Sequence, residues 1–196
     1  MYTVDFNSAL NTQKTIRFGQ LGRLGSMKGS IFAIGAFAQV INQGFDATYE
    51  FFGTGPMQDS TKELAKSLGV YDRVKFGNGY NWSDLDRIIA EIDVGVMPSI
   101  YEGFGLVMLE LMSRSRPVIA TDVGSSREVL SSLGGGWVVE RADTTSLADA
   151  MINACRQQDS LTSMGKAARD IWVEHFTSEK MIERYLSFWK RNGAAI

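Results

Sequence analysis

Residues 93–121 read DVGVMPSIYEGFGLVMLELMSRSRPVIAT. Two short apolar runs, VGVMP at 94–98 and PVIAT at 117–121, bracket a glycine-bearing loop and an apolar stretch of helical length. Such runs, apolar on both faces, belong to strands covered by helices on either side. Strand, helix and strand in this order form a βαβ unit, whose strands lie parallel.

Outward from this unit the alternation repeats. Strand-like runs fall at Ile16–Gln20, Ala47–Phe52, Arg73–Phe76, Asp93–Met97, Pro117–Thr121 and Gly136–Val139. Helical patterns lie between them, near 28–42, 57–68, 83–91, 103–114 and 124–131. The expected fold is α/β: a Rossmann-like three-layer α/β/α arrangement around a six-stranded parallel sheet. From about 144 onward the pattern is helical only, which predicts extra C-terminal helices. Residues 1–14 are polar and lack a sustained period, so they read as a linker or a lead-in strand.

Composition narrows the function classes. The 196 residues suit one domain, and 44% hydrophobic with 21% charged residues is ordinary for a soluble globular chain. A formal net charge of −2 offers no basic surplus for nucleic acid or an anionic membrane. The lone cysteine, Cys155, lies in a helical pattern and reads as a buried, inert thiol, which suits a reducing compartment. With one cysteine and one histidine (His175), no zinc site is expected. Neither a signal peptide nor a membrane span is read in the chain.

Ligands of an open parallel sheet bind at the carboxyl ends of its strands, and three loops there carry unusual residues. The first, after Ile16–Gln20, is GQLGRLGSMKG at 19–29. Its glycines permit close backbone approach, and Arg23 and Lys28 stand at the mouth of a helix, a place suited to phosphate. A solvated Arg and Lys on a glycine turn is an equally weighted reading. The loop carries neither a dinucleotide fingerprint nor a Walker motif.

The second loop, PSIYEGFGL at 98–106, runs into a helix expected from about Gly103, whose first-turn amides at Phe104, Gly105 and Leu106 would be free donors. That helix is apolar on nearly every side and is expected to be buried. Glu110 stands in it among Met108, Leu109, Leu111 and Met112, and needs polar partners there. A pairing with Arg114 is the plainer alternative. The third loop, TDVGSSRE at 121–128, reads as a helix start with hydroxyl caps or as a ligand contact.

Smaller signals have plain readings. Asp84-Leu-Asp86 follows Ser83 at a helix start and reads as first-turn charge rather than a metal motif. His175 reads as a capping or surface residue. Tyr80 and Trp82 read first as packing residues, with stacking on a ligand as the second use.

In order along the chain, these motifs resemble the C-terminal domain of the retaining glycosyltransferase family 4 (glycosyl transferases group 1), one half of a GT-B fold. The residues that carry the resemblance are Gly22-Arg23-Leu24 with Lys28-Gly29, Gly53-Thr54-Gly55-Pro56, Arg73-Val74-Lys75-Phe76, Pro98 through Glu110, and Pro117 through Gly124. It covers roughly residues 16–190 and includes a Glu-x7-Glu element.

The resemblance implies the chemistry: transfer of a sugar from a UDP-, GDP- or ADP-sugar to an acceptor with retention of configuration, in glycoconjugate or polysaccharide synthesis. It implies that Arg23 and Lys28, in the loop opened by Gly22, hold the donor pyrophosphate with backbone help from Phe104, Gly105 and Leu106. Glu110 would take the ribose hydroxyls, Glu102 the donor sugar, and the backbone of Phe76 and Gly77 the nucleobase. Glu102 and Glu110, eight residues apart, would span about 12 Å along a helix, close to the ribose-to-sugar distance. No metal and no cofactor are expected.

The partners implied are the nucleotide-sugar donor, an acceptor and an N-terminal Rossmann domain, with any membrane association through that domain alone. The expected location is the cytoplasm, up to the inner face of a membrane. The expected division is a nucleotide-sugar-binding domain at 15–177 and a helix at 178–196 that packs on the N-terminal domain and leaves Trp172, Phe188 and Trp189 partly exposed here. This chain alone is expected to be inactive. A non-catalytic nucleotide-sugar-sensing module with the same fold is the second reading, and an epimerase or phosphorylase the third. Arg114, Arg116 and the Gly134–Gly136 run depart from the family pattern; the arginines are expected at the surface or paired with acids.

Overall fold

A computed structural model of the chain describes residues 15–131 and 134–193. The proposed lead-in at 1–14 lies outside the described residues. Six strands, β1 (Ile16–Leu21), β2 (Ala47–Phe52), β3 (Val74–Phe76), β4 (Val94–Met97), β5 (Val118–Thr121) and β6 (Gly136–Val139), form one sheet in the order β3-β2-β1-β4-β5-β6. All five pairings are parallel. The order reverses between β1 and β4, and in doubly wound sheets the crevice above that switch point is where ligands bind.

The strands form where expected because both faces of the sheet are buried. On one face Phe18, Val94, Val96 and Ile119 pack against α1 (Ser30–Asn42), α2 (Gln58–Ser67) and α5 (Thr144–Arg156). On the other, Met97, Val118 and Ala120 pack against α3 (Leu85–Ala90), α4 (Leu106–Met112) and α6 (Leu161–His175). Adjacent residues of one strand thus enter different cores, so a polar side chain in either position would lose its water without compensation. The last helix, α7 (Ser178–Arg191), has no buried residue.

Several expectations are corrected. The helix expected at 103–114 starts only at Leu106 and ends at Met112. Glu102 therefore lies in the loop, and the distance measured along a helix does not apply to it. Nor is α4 buried on nearly every side. Met108, Leu111 and Met112 are buried, Val107, Leu109 and Glu110 are half-buried, and Leu106 is 67% exposed. The helical pattern at 124–131 resolves to a π-type turn, Arg127–Ser131.

Of the two arginines that break the family pattern, Arg114 pairs with Asp86 at 2.6 Å, as an acid-paired side chain. Arg116 is not at the surface: it is wholly buried and donates from Nε to the carbonyl of Ile89 at 3.0 Å. Burial lowers its pKa, and the charge of Asp93 opposes that shift. Asp93 in turn takes a bidentate pair of bonds from Arg17 at 2.7 and 3.0 Å. A guanidinium without hydrogen bonds would not be tolerated in such a place.

Candidate functional site

The loop after β1 is built against the loop after β2. Leu24 donates its amide to Thr54 O at 3.0 Å, and Met57 donates to Leu24 O at 3.0 Å. A Cβ on Gly53 would lie 2.2 Å from the Gly22 carbonyl oxygen, and one on Gly55 would lie 2.3 Å from that of Leu24. The Gly-x-Gly-Pro element is thus a seat for the loop that carries Arg23. Arg23 itself is exposed.

The same loop then turns onto the segment after β4. Gly29 caps α1 with φ 69°, and a Cβ there would lie 1.8 Å from the Pro98 carbonyl oxygen. Ile100 donates its amide to Met27 O at 2.8 Å. This close approach brings Lys28 Nζ to 2.6 Å from Glu102 Oε1. Ser99 Oγ donates to the same carboxylate oxygen at 2.8 Å, and Thr121 Oγ1 donates to the Ser99 carbonyl at 2.6 Å.

Beneath Lys28, Tyr49 donates to Gln20 Oε1 at 3.0 Å, and Gln20 Nε2 donates to the Lys28 carbonyl at 2.9 Å. Both side chains are buried. Gln20, Tyr49 and Ser99 belong to no motif that marks them as site residues in the sequence. The signal available for Gln20 is a carboxamide near the end of a strand whose Ile16 and Phe18 are core residues, which burial obliges to find partners.

The third loop serves the second. Ser125 Oγ donates to the Phe104 carbonyl at 2.8 Å. Its hydroxyl is therefore spent on holding the loop at 102–105. Gly105 opens α4 as its N-cap, Leu106 is its first residue, and the Phe104 ring meets Phe176 edge-on at 6.3 Å.

Glu110 lies elsewhere along α4. It lines a cavity of about 670 Å³ together with Trp82, Ser83, Asp86, Leu106 and Leu109, of a size that suits a small-molecule site. Burial raises the pKa of its carboxyl, and the positive charge of Arg114 pulls the other way. Arg114 pairs with Asp86 and donates from Nη1 to the Glu110 backbone carbonyl at 3.2 Å. Tyr80 is pushed up to about 12 by burial first and by the Glu110 charge second.

The structure thus joins Lys28 to Glu102 and sets Arg23 in the same loop, whereas Glu110 lines a separate cavity whose walls include none of these three. Phe76 and Gly77 close β3: the Phe76 ring stacks on Phe51 at 5.1 Å, and the Gly77 amide donates to Phe51 O at 2.8 Å.

The remaining signals find plain roles. Asp84 accepts the Asn81 amide at 2.9 Å and so caps its turn. His175 closes α6, and its carbonyl accepts from Arg184 at 2.9 Å. Cys155 is half-buried, its thiol pushed up to about 11 by burial, which leaves it protonated and unreactive.

A family model described as "Glycosyl transferases group 1" matches residues 3–171. Over 151 residues the chain is 36% identical to the N-acetyl-alpha-D-glucosaminyl L-malate synthase of Bacillus anthracis, covering 76% of this chain and 39% of that relative. Two solved structures share the fold. The C-terminal domain of a group 1 family glycosyl transferase (LpcC) from Francisella tularensis superposes with a TM-score of 0.75 at 25% identity, covering 83% of this chain and 87% of that one. Anabaena HepE, solved with UDP-glucose, superposes with a TM-score of 0.77 at 26% identity, covering 90% of this chain and 49% of that one. The chain thus spans less than half the length of the B. anthracis relative, and its sheet is that of one Rossmann-like unit of the GT-B glycosyltransferases. This protein belongs to the group 1 family of glycosyltransferases.

Proposed function

We propose that this unit binds the nucleoside-diphosphate sugar of a retaining glycosyltransferase, and that the acceptor side is supplied by a second domain. The observation that carries the reading is the pairing of Lys28 with Glu102 at 2.6 Å, at the mouth of the β1–β4 switch point. A cation and a carboxylate held together there can divide one ligand between them. Lys28, with Arg23 beside it, takes the diphosphate, and Glu102 takes hydroxyls of the sugar. The binding of UDP-glucose by the similar HepE supports a donor of this class.

In the reaction, the bond between the anomeric carbon and the diphosphate oxygen breaks, and its electron pair leaves with the nucleoside diphosphate. The acceptor hydroxyl oxygen bonds to that carbon on the same face, and its proton passes to the departing phosphate oxygen. Lys28 and Arg23 stabilise the charge that grows on the departing phosphate, an effect larger in the transition state than in the ground state. Side-chain cations in that role leave no need for a metal.

Titration calorimetry with UDP-, GDP- and ADP-sugars tests the reading. One of them should bind, and Lys28→Ala should weaken it at least tenfold, on the scale of about 1.5–3 kcal/mol for a hydrogen bond to a charged group. Absence of binding across the panel would remove the proposal. The 196-residue chain is expected to bind donor without transferring sugar, because excluding water from the reacting centre takes closure of two domains. Sugar transfer by the purified chain alone would refute that part.

A further inference from the structure

Packing leaves one wall of the Glu110 cavity unexplained. Trp82 is 78% exposed, the most open of the exposed large hydrophobic side chains among the described residues, and it joins neither core cluster. The neighbouring aromatics are accounted for. Tyr80 and Trp172 pack on the core beneath α4 and α6, and the Phe76 ring is stacked on Phe51. An indole left in water at a cavity rim forgoes the burial that normally stabilises tryptophan.

Its backbone is nonetheless held in place. Trp82 opens a short 3₁₀ turn, Trp82–Asp84, in which the Asn81 amide donates to Asp84 Oδ2 at 2.9 Å and the Asp84 amide donates to Asn81 O at 3.0 Å. Asp84 also pairs with Arg87 at 3.6 Å.

The charges of the cavity indicate what it takes. Arg114 is spent on Asp86 and on the Glu110 carbonyl, and Arg169 donates to the Ser113 carbonyl at 2.8 Å. Two aromatic rings, two leucines, two serines and the carboxylates of Asp86 and Glu110 make up the rest of the lining. Such walls fit the uncharged part of a nucleotide, while the cations for its phosphates stand in the β1 loop.

We propose that the Trp82 indole is the platform on which the nucleobase of the donor stacks. The proposal rests on the donor-binding reading above. Stacking on an aromatic face tolerates any base, because every base presents a π-face.

The test compares wild type, Trp82→Ala, Trp82→Phe and Lys28→Ala by calorimetry, with UDP, GDP, ADP and inorganic pyrophosphate as probes. Trp82→Ala should weaken the best nucleoside diphosphate about tenfold or more and leave pyrophosphate unchanged. Trp82→Phe should keep most of the affinity. Because the side chain is exposed, all Trp82 variants should melt with wild type. If Lys28→Ala weakens nucleoside diphosphate and Trp82→Ala does not, the platform is refuted and the donor-binding reading survives. Equal losses for pyrophosphate and nucleotide in Trp82→Ala would also refute it. If wild type binds no nucleoside diphosphate, both readings fall together.

Discussion

Lys28 and Glu102 neutralise each other, so a diphosphate must compete with the carboxylate for the ammonium group. Glu102→Gln removes that competitor. The variant should bind inorganic pyrophosphate more tightly than wild type by calorimetry, and an unchanged or weakened affinity would show that Lys28 is not held back by its partner. Glu110 poses a different problem. Burial raises its pKa above the ordinary 4.5, so between the unfolded and folded values the native state holds more protons than the unfolded chain. Stability from this group therefore falls as pH rises through that window. The destabilisation is absent below the unfolded value and complete above the folded one. Glu110→Gln should melt above wild type near neutral pH, with the advantage shrinking as pH falls through the glutamate range. A constant difference across pH would mean that the carboxyl does not titrate with folding. The lone acid of an apolar stretch was visible in the sequence, but its setting in a cavity wall rather than in the core was not, because the face that α4 turns to the core, through Met108, Leu111 and Met112, decided it.

At the scale of elements, the site depends on how closely α1 and the segment after β4 approach each other. Gly29 is the point of contact, with a left-handed backbone and no room for a Cβ beside Pro98 O. Gly29→Ala should cost about 2–4 kcal/mol in urea unfolding, from backbone strain and overpacking together. It should also weaken diphosphate binding, since the two loops must part and Lys28 moves with them. Wild-type stability in this variant would refute the tight approach. The Lys-Gly pair was legible as a motif, and the strands were legible because two-sided burial leaves an apolar run. The reason for the glycine was not legible, because the atom it avoids is about seventy residues away.

For the molecule as a whole, the uncovered surface of α7 is the main liability. Met181, Ile182, Tyr185, Phe188 and Trp189 recur at helical spacing and are 53%, 53%, 57%, 56% and 47% exposed. We propose that this face packs on the second domain. Without that domain it is a contiguous apolar patch of the kind that drives association. The chain should self-associate as its concentration rises, measured by light scattering, and a Tyr185→Lys, Phe188→Glu variant should remain monomeric with an unchanged melting temperature. Association that persists in the variant would move the contact elsewhere.

The order of strands and helices followed from the sequence, because it rests on local pattern: apolar runs where both faces are covered, with glycines at strand ends. The tertiary structure alone decided that Lys28 meets Glu102, that Arg116 is buried, that α4 is only seven residues long and that Trp82 stands in solvent. Each of these depends on how closely distant segments approach, and residue spacing along one chain carries no measure of that distance.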